Sequence, residues 1–158
     1  MNQKLFEMDG KKMAVRRPAQ TDELRWKRFL KRLEPQATHM RVFELQKDEK
    51  WVENMRKLEY DHRGVTRLAV EKNEIIGFAN IVPQGKEYNF GVAVLSEFQG
   101  KGLASVLSKE IIEQAKEWKL FPLVSDTREE NLPAQKLSEK LGFREEKREN
   151  TRVFYRFY

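Results

Sequence analysis

The run Gln99-Gly100-Lys101-Gly102-Leu103-Ala104-Ser105 has the composition of an anion-binding turn. An apolar stretch, Phe90 to Leu95, precedes it, and a long amphipathic stretch follows. The turn therefore joins a strand to a helix start. Two glycines let a backbone bend sharply and approach a ligand where a Cβ would intrude. The helix start offers N–H groups without intrahelical partners and the positive end of the helix dipole, which together suit a phosphate. A second group lies at Asn131-Leu132-Pro133-Ala134 and continues to Leu141-Gly142-Phe143. Asn131 suits an N-cap, Pro133 is tolerated in a first helical turn, and Gly142 is a stop signal. Asn131, Ala134 and Ser138 share one helix face by their spacing, and Leu137 and Leu141 form a neighbouring apolar stripe expected to face the core.

Two phosphate motifs are excluded. A dinucleotide fingerprint needs a third glycine where Ser105 stands, and a P-loop needs Ser or Thr where Gly102 follows Lys101. The pattern Gln-x-x-Gly-x-Ala over Gln99 to Ala104 resembles the pyrophosphate-binding motif of the GNAT acetyltransferase superfamily. Asn131-x-x-Ala134 with the Leu141-Gly142-Phe143 ending resembles that family's last helix. The resemblance covers the chain from about Arg16 to the C-terminus, its specific motifs lying in the second half.

The resemblance implies acetyl-CoA as cosubstrate, with its pyrophosphate on backbone N–H groups from Gln99, Gly100, Lys101, Gly102, Leu103 and Ala104. Lys101 would add charge. Val92, Ala93 and Val94 would lie along the pantetheine arm, and a bulge or splay there would free backbone groups for the ligand. Asn131, Ala134 and Ser138 would complete the cofactor wall. No metal is implied. The base departs from the usual pattern: the family often has Glu ten residues before the Gln99 position, where this chain has Asn89. Glu87 is the nearest acid, and side chains alternate along a strand, so Glu87 shares a face with Asn89 while Tyr88 points away. Glu87 acting through water held by Asn89 is one reading; a solvated loop carboxylate is the other. Glu71 is a second acid to consider. Many relatives carry a Tyr acid at the Ser138 position, so Ser138 is either a weaker acid for the departing thiolate or a plain channel residue. His39 and His62 have no partners at metal-ligand spacing. His62 remains a minor base candidate on the acceptor side, and Tyr155 and Tyr158 could touch substrate.

These groups must be held by strands and helices. Lys12 to Arg17 reads as a strand, followed by a helix capped by Thr21 or Asp22, with Leu24, Phe29, Leu30 and Leu33 as its apolar face and Pro35 as its end. A second helix is expected from Asp48 to Tyr60, burying Trp51, Val52, Met55, Leu58 and Tyr60. Thr66 to Glu71 and Ile75 to Val82 form a hairpin around Lys72-Asn73-Glu74. A loop at Pro83-Gln84-Gly85-Lys86 leads to the strand before the glycines. Lys101 to Lys119 is a helix, with Leu103, Val106, Leu107, Ile111, Ala115 and Trp118 at helical spacing. Leu123 to Thr127 is a strand, then comes the Asn131 helix, and Phe143 to Arg148 and Thr151 to Tyr158 form a terminal hairpin. The order β-α-α-β-β-β-α-β-α-β-β is the GNAT order. It implies an α/β (α+β) fold with a mixed, mostly antiparallel sheet of about seven strands and helices on both faces.

The chain of 158 residues fits a single domain over 1–158. The absence of cysteine excludes disulfides, thiolate metal ligands and a Cys acyl-enzyme, and permits a cytoplasmic location. No apolar stretch is long enough to span a bilayer, and the polar N-terminus lacks a signal-peptide core. The net charge of +6 is spread among acids, which disfavours specific nucleic-acid binding. The resemblance implies transfer of acetyl from acetyl-CoA to a primary amine, of a small molecule or a peptide, and the lack of cysteine favours direct attack in a ternary complex. The alternative is a CoA-binding or regulatory domain of the same fold with lost or altered transfer. A homodimer is compatible with either.

Overall fold

The fold grows from short hairpins whose turns are set by residues in the left-handed region. Residues 3–36 and 49–158 are described by a computed structural model. The elements are β1 (Lys4–Met8), β2 (Lys11–Arg16), α1 (Glu23–Leu33), α2 (Trp51–Tyr60), β3 (Val65–Glu71), β4 (Glu74–Gln84), β5 (Glu87–Val94), α3 (Leu103–Trp118), β6 (Leu123–Arg128), α4 (Leu132–Leu141), β7 (Arg144–Glu149) and β8 (Arg152–Phe157). They build one sheet in the order β1-β2-β3-β4-β5-β6-β8-β7. Every pair is antiparallel except β5 with β6.

The sheet has eight strands rather than about seven. The additional one is β1, joined to β2 through Asp9 and Gly10 at φ 53° and 73°. Asp-Gly with both residues left-handed is a strong hairpin signal. Lys72-Asn73 and Asn150-Thr151 turn the same way. β4 does not stop at Val82 but runs to Gln84, so the expected four-residue loop shrinks to Gly85-Lys86. Pro83 is tolerated because β3 pairs with β4 only as far as Ile81, leaving Pro83 with one strand neighbour. β5 consequently starts at Glu87, which puts Glu87 and Asn89 inside the strand.

Helices cover both faces. On one face Trp26 and Phe29 of α1 and Trp51 of α2 surround Phe78 of β4, with Trp26 stacked on Trp51 at 3.5 Å between ring centroids. Such aromatic packing stabilises beyond its buried area by about 1 kcal/mol per pair. On the other face α3 buries Leu103, Leu107, Ile111 and Ala115. A Cβ on Gly77 would lie 3.2 Å from Val94 Cγ2 and 3.5 Å from Leu107 Cδ1, so glycine there admits the helix. No helix among the described residues is long and apolar enough to cross a membrane.

Several burial expectations reverse. Leu24 is exposed and Trp26 takes its place. Asp22 does not cap α1 with its side chain but is fully buried, receiving both arms of Arg16 at 2.7 and 2.9 Å and the Ala19 N–H at 2.6 Å. Tyr60 is 86% exposed and Glu59 is buried instead, because Arg67 of β3 and the Thr66 N–H draw it inward. In α4 the buried positions are Gln135 and Ser138; Leu141 packs against the core partly buried, as expected, whereas Leu137 does not join it.

Candidate functional site

The site begins where β5 loses a neighbour. β5 pairs with β6 only at Tyr88↔Leu123 and Asn89↔Val124, while on its other edge it pairs with β4 along its whole length. Beyond Asn89 the two parallel strands separate. In an antiparallel ladder, successive residues direct their backbone groups to alternate edges. The Leu95 N–H donates to Ile76 of β4, and the Tyr88 N–H donates to Pro122 on the opposite side. Val92 and Val94 therefore turn their N–H and C=O groups into the gap between β5 and β6. The Val94 carbonyl is already occupied there, accepting from the side-chain amides of Gln99 at 2.8 Å and Gln36 at 2.9 Å.

The chain leaves β5 through a 3-10 turn at Ser96–Phe98 and enters α3 through the glycines. Gly100 and Gly102 have φ of 76° and 89°, a region that side chains rarely adopt, and a Cβ on either would project into open space. Gly102 is the N-cap residue of α3, and among the described residues no side chain caps this end. Val106 N–H is the donor that reaches Gly102 C=O at 3.0 Å. The first-turn N–H groups of Leu103, Ala104 and Ser105 thus face outward without a side-chain acceptor, an arrangement that favours an anion.

These features line a cleft of about 830 Å³. Of the residues expected from sequence, Val92, Ala93, Val94, Gln99, Gly100, Gly102, Leu103, Ala104, Asn131 and Ala134 border it. Asn131 caps α4 by accepting the Ala134 N–H at 3.2 Å, and Gly142 at φ 103° ends that helix. Lys101 does not line the cleft; its ammonium pairs with Asp9 in the β1–β2 turn. Ser138 is buried beneath α4 and also lies outside the lining. Leu137, expected in the core, borders the cleft.

Glu87 and Asn89 do share a face. Phe78, which meets α1 and α2, pairs with Ala93, and two-residue steps back along β5 reach Asn89 and Glu87. Glu87 stands seven residues from Val94, about 23 Å along the strand. Its carboxylate is held by Arg156 of β8, which also holds Glu146 of β7. The hydrogen bonds to Glu146 and then Glu87 raise the Arg156 guanidinium above its ordinary value, so it stays charged throughout. Glu71 ends β3 at the hairpin opposite Glu74. His62 stacks on Trp118 at 4.0 Å, at the far end of α3 from the glycines, about 24 Å along the helix. His39 lies outside the described residues. Tyr155 is a core residue, its hydroxyl raised by burial and then by Glu139 and Glu145, while Tyr158 is exposed beside Arg156.

Sequence reasoning missed Gln36, Lys136 and Lys140, all of which border the cleft. At 100° per residue Lys136 and Lys140 fall on the far side of α4 from Asn131 and Ser138, so the face expected to meet the cofactor did not point to them. They supply positive charge on the wall opposite the glycine turn. The described lining contains no Asp, Glu or His. Among the described residues no cluster of three or more His, Asp or Glu is placed to hold a metal.

The sequence pattern described as Acetyltransferase (GNAT) family matches residues 23–143. Among solved structures the chain is similar to the GNAT domain of S. lividans PAT, with TM-score 0.80 and 20% identity over 98% of this chain and 96% of that one. It is similar to the ribosomal-protein-S5-alanine acetyltransferase from Vibrio fischeri, with TM-score 0.77 and 18% identity over 96% and 94%. A third likeness is to the PaiA N-acetyltransferase from Thermoplasma acidophilum in complex with coenzyme A, with TM-score 0.72 and 12% identity over 92% and 98%. At these identities the structures share a fold. Comparison with the curated proteins returns no match.

Proposed function

Because the chain belongs to the acetyltransferase (GNAT) family, we propose that it moves the acetyl group of acetyl-CoA to a primary amine, as a single domain in the cytoplasm. The observation that carries this reading is the continuity of the cleft: an uncapped α3 start, a glycine turn and a splayed strand edge follow one another along one wall. The two glycines leave open the space that a Cβ would fill, and the outward N–H groups of Leu103, Ala104 and Ser105 suit a pyrophosphate. Val92 offers an N–H and a C=O to the amides of an extended pantetheine arm. Lys136 and Lys140 supply opposite charge to its phosphates.

The amine nitrogen attacks the thioester carbon, the C–S bond breaks, and the electron pair leaves with sulfur. A strand N–H in the gap, from Val92 or Val94, stabilises the oxyanion that forms on the carbonyl oxygen. An alkyl ammonium near pKa 10.4 must first lose a proton, about one molecule in a few thousand being neutral at pH 7. That proton passes to water held at Asn89 and on toward Glu87. Ser138, buried and outside the cleft lining, takes no part in the departure of the thiolate, and a thiol near pKa 8.5 leaves without a dedicated acid.

Without a cysteine there is no good acyl-accepting nucleophile, so transfer is direct within a ternary complex. Initial rates at varied acetyl-CoA and amine are expected to give intersecting reciprocal plots. Parallel lines, or an acetylated protein trapped by mass spectrometry, would refute direct transfer. One observation favours a second reading, a CoA-binding regulatory domain: no described lining residue is an acid or a histidine. Stoichiometric CoA binding with no thiol release across a panel of amines would select it.

A further inference from the structure

We infer that Gln36 is a positioning residue for the cofactor, its carboxamide standing in for the strand peptide that β6 would supply at the end of β5. The inference rests on the acetyl-CoA reading of the cleft. Gln36 follows α1, on a 3-10 turn at Glu34–Gln36. Its Nε2 donates to the Val94 carbonyl at 2.9 Å, and its Oε1 accepts the Ser96 N–H at 2.7 Å. In a parallel ladder the N–H and C=O of one residue do the same, donating on one side of a facing residue and accepting on the other. Here the bridged residue is Leu95, and the amide approaches from the edge that β6 has vacated.

The consequence is a fixed division of labour along that edge. Gln36 and Gln99 together satisfy both lone pairs of the Val94 carbonyl, so a bound cofactor finds that acceptor closed and the Val92 groups open. The clasp also fixes Ser96 at the start of the turn that leads to Gly100 and Gly102. Arg32 reinforces it, reaching Glu97 at 2.7 Å from α1. Without the clasp, Val94 and Ser96 would present loose polar groups to the cleft, and binding would have to order them first.

Two substitutions in the full chain test this. Gln36→Met keeps the length and removes both hydrogen bonds. It is expected to raise the CoA dissociation constant and the KM for acetyl-CoA roughly tenfold while kcat changes less than about twofold. Gln36→Glu keeps the acceptor and places a charged carboxylate against the Val94 carbonyl at pH 8. A carboxyl titrates near 4.3, and once protonated it restores the donor. Among the described residues, the charged groups near the clasp include Glu34 on the same 3-10 turn, Arg32 and Glu97, paired with each other, and Lys136 and Lys140 across the cleft. The affinity of Gln36→Glu relative to wild type is expected to recover as pH falls from 8 toward 4.5, while that of Gln36→Met stays low. A loss from general destabilisation would show no such recovery, which keeps the test valid even if Gln36→Met fails to fold. Wild-type affinity in Gln36→Met, or no recovery in Gln36→Glu, would overturn the inference alone. Failure of the wild type to bind CoA would overturn the acetyl-CoA reading and the inference with it.

Discussion

Glu87 shows how a partner changes what a residue can do. Its carboxylate is committed to a guanidinium that also holds Glu146, and it lies at the far end of β5 from the glycine turn. A base in direct contact with the reacting amine contributes about 10²–10⁴ in rate, whereas one acting through ordered water under an ion pair contributes less. Glu87→Gln is therefore expected to lower kcat by about tenfold or less, leaving the KM for acetyl-CoA unchanged. Steady-state kinetics across pH check this. A loss beyond about a hundredfold would make Glu87 a direct base, and an unchanged rate would remove it from the proton path. Residues read correctly from sequence were those whose meaning is local. Gly100, Gly102 and Gly142 have left-handed φ, and Asn131 caps the helix beginning one residue later. Gln36 was illegible because its partners lie 58 and 60 positions away. Glu87 was legible as an acid, but its partner Arg156, 69 positions away, was not.

Elements are fixed by a few buried polar contacts as much as by apolar stripes. Asp22 ties the start of α1 to the end of β2 through Arg16. Burial alone pushes the Asp22 carboxyl up, but the Arg16 fork, the Ala19 N–H and the charges of Arg16 and Arg25 outweigh it, leaving the carboxyl below its ordinary 3.8. A depressed folded pKa stabilises the native state above the unfolded value and is lost as pH falls through the folded one. Wild type should thus lose stability below about pH 4, where the unfolded carboxyl begins to bind protons. Asp22→Asn should cost about 3 kcal/mol at neutral pH by leaving Arg16 without its counter-charge, and should remove this part of the acid loss. Denaturant melts of both proteins at pH 7 and pH 3 check it; a constant difference between them would contradict the assignment. Element types and their order were readable from periodicity, as in α3, whose buried Leu103, Leu107, Ile111 and Ala115 recur at helical spacing. Ends were harder. β4 outran the expected turn because pairing with β5 continues past Pro83, and β1 was overlooked although Asp9-Gly10 marks its hairpin.

At the scale of the whole molecule, one sheet is asked both to hold a core and to open. β1 to β5 form a continuous antiparallel ladder covered on both faces, and β6 to β8 form a second ladder. Only two residue pairs of β5 and β6 join them, and the cleft occupies the remainder of that seam. Ion pairs tie elements across the first ladder: Arg17 and Arg67 meet at Glu59, and Glu110 of α3 lies within 4.0 Å of Arg67 and 3.1 Å of Lys4. The fold was legible because the motifs occur in family order, but the width of the seam was not, since it depends on where pairing between distant strands stops. The central claim is that this seam receives CoA with its pyrophosphate on the glycine turn. Calorimetric titration of CoA into wild type, Gly102→Asn and Gly102→Asp tests it most directly. Asn and Asp have nearly the same size and a similar tolerance for φ near 89°, so their difference reports charge at the turn. Wild type is expected to bind one CoA per chain, and Gly102→Asp to bind on the order of a hundredfold more weakly than Gly102→Asn, with both variants folded by circular dichroism. Equal affinity in Gly102→Asp and wild type would contradict the claim.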